Sequence, residues 1–259
     1  MSAASAIPGS VLRAGDGMIV TGAAQGIGRA VALRLAGQGA RLALWDVKPD
    51  GVAETAELCR KSGVEVLTAK VDMGEAGDVV AAAKAVGAAW GAPFGFVSNA
   101  GIFPRSPILE TDPAVWERVL KVNLIGAFLC ARYLGPMMVQ AKRGAAVMIA
   151  SGRALQGTPR GAHYAASKAG LVSFTKSLAL EMAPHGIRVN CVIPGVTETA
   201  QPLEDSTLEE VRARGSRIPL GRIGQPEDIA AGVAMLLSAD AAYMTGQSIA
   251  LNGGAIMLP

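Results

Sequence analysis

The sequence predicts an α/β fold, a doubly wound parallel sheet with helices on both faces, built as a single domain. Three observations carry this reading. Short apolar runs alternate with helical patterns along nearly the whole chain, the order that a parallel sheet requires. Hydrophobic residues make up 51% and charged residues 17% of the 259, enough apolar surface to cover both faces of such a sheet. A strand, a glycine-rich turn and a helix also stand near the head of the chain, as a βαβ unit begins.

The elements follow in order. Residues 1–14 read as a flexible tail, small and polar, and 15–259 as one domain; the tail lacks a charged stretch leading into an apolar one, so no secretory signal is expected. Met18–Thr21 is the first strand, Gly22 to Gly28 the glycine turn, and Arg29–Ala36 a helix closed by Gly37 and Gly39. Arg41–Trp45 is the second strand, ending on Asp46. A helix over Gly51–Ser62, a strand over Glu65–Val71, a helix over Ala76–Trp90 and a strand over Phe94–Val97 repeat the pattern. That strand runs into Ser98-Asn99-Ala100-Gly101.

Asp112-Pro113 supplies an N-cap and a proline at the first position of a long helix carrying Trp116, Val119, Leu120, Asn123 and Leu124, which Pro136 should kink or end. Ala145–Ala150 is the fifth strand, with Ser151 at its carboxyl end. A helix over His163–Met182 is stopped by Pro184 and Gly186, and Ile187–Ile193 forms a strand leading to Pro194-Gly195. Residues 196–222 are polar and charge-rich, and occupy the place of a substrate lid. Gln225-Pro226-Glu227-Asp228 opens a last helix to about Leu237, and Gln247–Leu251 closes the sheet.

Composition excludes several classes. The net charge of +3 is scattered with no basic block, so neither nucleic acid nor a membrane surface is an expected partner. No apolar run reaches the ~18 residues of a membrane span. Cys59, Cys130 and Cys191 are far apart with no C-x-x-C spacing, and only two histidines are present, so no metal site is expected and a reducing, cytoplasmic setting is.

Two motifs carry chemistry. Gly22-x3-Gly26-x-Gly28, with Gln25 and Ile27 between, has the form of a phosphate cradle: glycines let the backbone approach a pyrophosphate, and the helix that follows presents free N–H groups and a partial positive charge. Asp46, at the end of the next strand, is placed to accept from both ribose hydroxyls of an adenosine and to repel a 2′-phosphate, which points to NAD, although Lys48 stands close by. The second motif is Tyr164-x3-Lys168, one helical turn apart on one face, with Ser151 upstream. A Lys ammonium beside a phenol favours the phenolate, moving a group that titrates near pH ~10 towards neutral, and a serine hydroxyl could hold a carbonyl or alcohol oxygen against it.

Taken together, Thr21-Gly22-x3-Gly26-Ile27-Gly28, Asp72, Asn99-Ala100-Gly101, Asn123, Ser151, Tyr164-x3-Lys168 and Pro194-Gly195 resemble the short-chain dehydrogenase/reductase family, from about Met18 to Gly254. The resemblance implies a Rossmann-type sheet of seven strands and a catalytic set of Asn123, Ser151, Tyr164 and Lys168. Tyr164 would be the acid–base, Ser151 would orient the substrate oxygen, Lys168 would bind the nicotinamide ribose, and Asn123, at a helix kink, would hold a water linking Lys168 to solvent. Asn99, Ala100 and Gly101 would pass beneath the cofactor, Asp72 would meet the adenine, and Pro194, Gly195 and Thr199 would meet the nicotinamide. A homotetramer built through the Asn123 and Tyr164 helices is implied as well. Ser98 departs from the pattern, since many relatives carry a second Asn there.

Substrate clues are fewer. Arg153, Arg160 and His163 lie near Ser151 and Tyr164, and a guanidinium there can grip a carboxylate, sulfonate or phosphate. A polar, anionic or sugar-like small-molecule substrate follows, unless the arginines make structural pairs instead. An NADPH-dependent 3-ketoacyl reductase remains the alternative within the class, and an NAD-binding sensor or scaffold without turnover the alternative outside it.

Overall fold

The computed structural model describes residues 12–200 and 207–257, and in it seven strands form one parallel sheet in the order β3-β2-β1-β4-β5-β6-β7. They are β1 (Gly17–Thr21), β2 (Arg41–Asp46), β3 (Val66–Lys70), β4 (Gly95–Ser98), β5 (Gly144–Ile149), β6 (Ile187–Pro194) and β7 (Ser248–Leu251). The helices are α1 (Gly26–Ala36), α2 (Pro49–Arg60), α3 (Ala76–Trp90), α4 (Pro113–Leu120), α5 (Gly126–Ala141), the short α6 (Arg153–Gln156), α7 (Ala162–Met182), α8 (Leu208–Ala213) and α9 (Pro226–Leu237).

Successive residues of a strand point to opposite faces, and the two halves of the core divide accordingly. Met18 and Val20 of β1, Leu44 of β2 and Val147 of β5 pack with Leu35 of α1, Ala56 of α2 and Val233 of α9. Ile19, Trp45 and Met148, one step along the same strands, pack with Val86 of α3, Leu134 of α5 and Leu171 of α7 on the other face. Both faces of the sheet are therefore covered, which is why its strands are apolar runs without polar alternation.

Several expectations need correction at this level. Helix α1 starts at Gly26, ahead of Arg29, so the glycine turn and the helix N-terminus are one structure. Pro136 does not end its helix: α5 continues through it to Ala141. The missing N–H costs one intrahelical bond, but Leu134 and Met138 on either side are buried against the sheet, and that packing outweighs the loss. Helices α4 and α5 are joined by a π-helical turn, Lys121–Ile125, in which the Gly126 amide donates to the Lys121 carbonyl. The continuous helix Pro113–Ala141 is long and apolar enough to cross a membrane, yet more than half of its most apolar window is buried inside the fold.

The last residues of the expected tail, 1–14, are attached to the domain. Residues 1–11 lie outside the described residues, but the Leu12 amide donates to the Leu237 carbonyl at 3.1 Å and Leu12 packs on the core. Of the stretch 196–222, residues 201–206 lie outside the described residues. The rest is no open loop: α8 is fixed by a capping box between Thr207 and Glu210, and Val211, Ile218 and Ile223 form a small core of their own. The three cysteines are free and buried, and burial pushes the Cys59 and Cys191 thiols up to about 11 and Cys130 to about 12.

Candidate active site

The residues singled out by motif gather at the carboxyl ends of β1, β2, β4, β5 and β6. A Cβ built on Gly28 would stand 2.0 Å from the Gly22 carbonyl oxygen, and one on Gly22 would stand 2.8 Å from the Ala100 Cα, so the turn closes only with glycine. Gly22 and Gly26 also take positive φ, 66° and 57°. Helix α1 begins with no side-chain cap and no acid in its first turn, leaving its N-terminal amides and dipole for a ligand anion. Thr199 closes over the turn from the far side, its Cγ2 3.2 Å from where a Gly26 Cβ would be.

Asp46 leaves β2 beside this cradle. The Ala24 amide donates to its Oδ2 at 3.0 Å and the Lys48 amide to its Oδ1 at 3.1 Å, which fixes the carboxylate in orientation. The Lys48 ammonium turns to Gln25 Oε1 at 3.3 Å. The cradle, the bare helix end and the anchored carboxylate fit a dinucleotide: the first two its pyrophosphate, the third its adenosine ribose.

Asn99 binds the ends of β1 and β4 together, its Nδ2 donating to the carbonyls of Thr21 (2.9 Å) and Gly22 (3.1 Å). The Thr21 hydroxyl accepts from the amides of Asn99 and Ala100, both at 3.0 Å. On the other side of the crevice the Gly152 amide donates to the Pro194 carbonyl (3.0 Å) and the Gly195 amide to Leu251 (3.0 Å), aligning β5, β6 and β7. Asp72 is already occupied. Burial works against its ionisation, but the Arg118 guanidinium and the Gly74 amide (2.8 Å) outweigh this and hold its carboxyl below the usual range.

The four residues expected to form a catalytic set lie close together. Asn123 sits in the π turn, 1% exposed, with Oδ1 accepting from the Ile102 amide (2.8 Å) and Nδ2 donating to the Ile102 carbonyl (3.0 Å) and Ser167 Oγ (3.0 Å). Its side chain is thus spent on protein partners. Lys168 is 3% exposed and donates to the Ile149 carbonyl at 2.8 Å. A Cβ on Gly101 would lie 3.3 Å from Asn123 Oδ1 and 3.4 Å from Lys168 Nζ, so only glycine leaves that corner open. Ser151 Oγ accepts from the Arg153 amide at 3.2 Å, which leaves its own proton to be donated elsewhere.

The expected drop in the Tyr164 pKa is not what the protein alone provides. Burial pushes the Tyr164 phenol up, while a hydrogen bond with Ser151 and the Arg153 charge act downward without overcoming it. Burial also acts on Lys168, pushing its ammonium down to about 8, with Cys191 acting the other way. The ammonium points to Ile149, and lies 5.7 Å from the centre of the Tyr164 ring.

Of the three substrate clues, Arg153 is exposed and close enough to act on Tyr164 through its charge. Arg160 is exposed and adopts φ 56°, a left-handed conformation unusual outside glycine, with its carbonyl accepting from Ser106 N at 3.0 Å. His163 faces the other way. It is 1% exposed, its Nδ1 accepts from the Tyr164 amide at 2.7 Å, and its Nε2 is buried without a partner, so it offers no polar atom to a substrate in the cleft. No group of three or more metal-ligating side chains occurs among the described residues. Sequence reasoning missed Phe103, whose ring stacks on Tyr164, and the backbone of Ile102.

The chain matches a family model described as enoyl-(acyl carrier protein) reductase over residues 22–255. It is 37% identical over 238 residues to the cis-4-hydroxycyclohexanecarboxylate dehydrogenase of Sinomonas cyclohexanicum, covering 91% of this chain and 94% of that one. It is 38% identical over 245 residues to a 3-oxoacyl-(acyl-carrier-protein) reductase of Staphylococcus aureus, covering 92% and 97%. Among solved structures, the L-sorbose reductase of Gluconobacter frateurii, complexed with NADPH and L-sorbose, superposes with a TM-score of 0.89 at 29% identity, covering 96% of this chain and 100% of that one.

The buried Lys168 gives a test that needs no substrate. Because its folded pKa lies below the ordinary lysine value of 10.5, at about 8, the unfolded chain holds the proton more tightly, and folding stability rises with pH between those values. Lys168→Met should therefore be more stable than the parent at pH 7, by on the order of 2 kcal/mol, and melt at higher temperature, and the difference should shrink as pH rises past 8. Differential scanning calorimetry across pH 7–10 checks both the sign and the trend.

Proposed function

This chain belongs to the short-chain dehydrogenase/reductase family, and from that membership we propose an NAD-dependent dehydrogenase that oxidises a secondary alcohol on a polar, anionic substrate and catalyses the reverse reduction. The observation that carries the reaction is the meeting of Ser151, Tyr164 and Lys168 at the carboxyl end of the sheet, where the dinucleotide cradle opens. A nicotinamide bound there supplies the hydride acceptor or donor. Tyr164 then takes the alcohol proton during oxidation and returns it during reduction. Ser151 donates to the same oxygen, its lone pair already engaged by the Arg153 amide. The raised Tyr164 pKa makes the neutral phenol the resting form, so oxidation gains with rising pH and reduction is favoured nearer neutrality.

The preference for NAD rests on Asp46. Its carboxylate cannot swing away, being held by two amides, and a fixed negative charge disfavours a 2′-phosphate. A second reading, an NADPH-dependent ketoacyl reductase, is favoured by the Lys48 ammonium beside Gln25 and by the reductase from S. aureus. One variant separates the two and tests the chemistry as well. Tyr164→Phe should bind NAD⁺ as the parent does, at least about tenfold more tightly than NADP⁺, while turnover falls by at least ~100-fold. Calorimetric titration and steady-state rates check it; near-normal turnover would refute the assignment of Tyr164.

The anionic preference rests on Arg153, exposed beside Ser151 and Tyr164, and is supported by the relative that acts on a cyclohexanecarboxylate. A hydroxy acid of the sugar-acid or cyclic kind would place its carboxylate on that guanidinium. With gluconate and 4-hydroxycyclohexanecarboxylate as probes, Arg153→Ala should raise KM at least about tenfold and leave the rate on cyclohexanol little changed. Preference for a long apolar ketone would sink the idea.

We further propose a cytoplasmic homotetramer. Ile125, Phe128 and Tyr133 of the Asn123 helix and Leu180 of α7 are exposed, and large apolar side chains left on helices are a common mark of subunit contact. The free, buried thiols agree with a reducing compartment. Light scattering of the purified chain should give four times the 26.4 kDa of one chain, and a monomer would overturn the proposal.

A further inference from the structure

Phe103 lies in the loop after Asn99-Ala100-Gly101, outside any regular element. Its ring stacks on the Tyr164 ring, centroids 4.2 Å apart and planes 19° apart. The Arg105 guanidinium lies over the Phe103 ring, 5.1 Å from its centre. A Cβ on Gly161 would come within 2.5 Å of the Phe103 ring edge, so the residue ahead of α7 must be glycine for Phe103 to reach Tyr164. The loop is tied down on both sides of this stack. Asn123 grips both the amide and the carbonyl of Ile102, and the Ser106 amide donates to the carbonyl of Arg160, the residue held at φ 56°.

Neighbouring residues of one loop thus touch two members of the catalytic set, Ile102 on Asn123 and Phe103 on Tyr164. A tyrosine anchored only through its backbone can turn about its Cα–Cβ bond and swing its oxygen through an arc. A parallel ring at stacking distance removes that freedom, and a cation over the second ring holds the stack from outside. We propose that Phe103 is a positioning residue for the reaction: it holds the Tyr164 ring so that the phenol oxygen stays aligned with Ser151, and with Ile102 it links Tyr164 to Asn123. The proposal rests on Tyr164 being the acid–base group. Phe103 also covers the phenol ring from solvent, so it is part of the burial that raises the Tyr164 pKa.

The test uses the full chain and three variants: Phe103→Leu, which keeps bulk and removes the flat face; Phe103→Ala, which also uncovers the ring; and Phe103→Tyr, which keeps the face. Two readouts are needed. Steady-state oxidation of 4-hydroxycyclohexanecarboxylate with NAD⁺ gives kcat and KM. The ultraviolet phenolate titration, with the curve of Tyr164→Phe subtracted, isolates Tyr164 from the other two tyrosines without any substrate. Phe103→Leu should lose about 3- to 10-fold in kcat, the size of an aromatic stack, with KM for NAD⁺ unchanged, and Phe103→Tyr should restore the rate. In Phe103→Ala the Tyr164 titration should move to lower pH than in the parent. The proposal is overturned if Phe103→Leu keeps the parent kcat, or if the Tyr164 titration stays in place in Phe103→Ala. Should Tyr164→Phe itself remain active, the catalytic reading fails, while the titration still reports whether Phe103 governs the Tyr164 environment.

Discussion

Four hydrogen bonds between the carboxyl ends of β1 and β4, all through Thr21 and Asn99, hold the site in being. From β1 the chain departs into α1 on one face of the sheet, and from β4 it departs towards α4 and α5 on the other. Where neighbouring strands send their connections to opposite sides, a crevice opens at their ends, and a ligand can enter it. The Asn99 side chain bridges that split by bonding the last carbonyl of β1 and the first of the glycine turn. Without it the cradle at Gly22 and the floor at Gly101 would belong to two separately moving loops. Everything that the cradle and the catalytic set do in concert depends on that bridge.

The site departs from the rule that polar groups inside a protein find partners or stay charged only when paired. Lys168 is buried with one carbonyl for company, Tyr164 is desolvated, and His163 leaves an imidazole nitrogen without a partner. Each costs stability, and each lies within one helix, α7, which also buries the apolar Leu171, Leu178 and Ala179. The helix is anchored well enough by that packing to carry groups that would otherwise unfold its first turns. Placing such groups on a long, rigid element keeps them in register with the cofactor cradle across the sheet.

Much of this was legible in the chain. Strand and helix alternation gave the layers, because periodicity reports burial directly, and the Gly22–Gly28 turn and the Tyr164–Lys168 pair carry their meaning in local spacing. What escaped is non-local. The stack of Phe103 on Tyr164 joins residues that meet only because β4 and β5 end side by side, and no spacing in the sequence marks it. The burial of His163 depends on which side of α7 it occupies relative to Trp116 of α4, whose ring lies 6.1 Å away. The Tyr164 pKa goes the other way because burial of the phenol dominates, while the Lys168 ammonium turns to the Ile149 carbonyl. Of the two outcomes expected at Pro136, a kink or an end, the end does not occur, because the local rule ignores the packing on either side of it.

The π turn at Lys121–Ile125 has a consequence for how this chain can vary. A π turn accommodates one residue more than an α-helix would, and that residue swells the helix locally without changing the direction in which its two halves face. Deleting one residue between 121 and 125 would therefore let the helix become regular with its two halves still in phase, and Leu134 and Met138 would keep their side of the sheet. The core thus makes no demand for the extra residue. The demand is local: Asn123 lies inside the swollen turn, and from there its side chain holds both the amide and the carbonyl of Ile102. The defect belongs to the site and not to the packing.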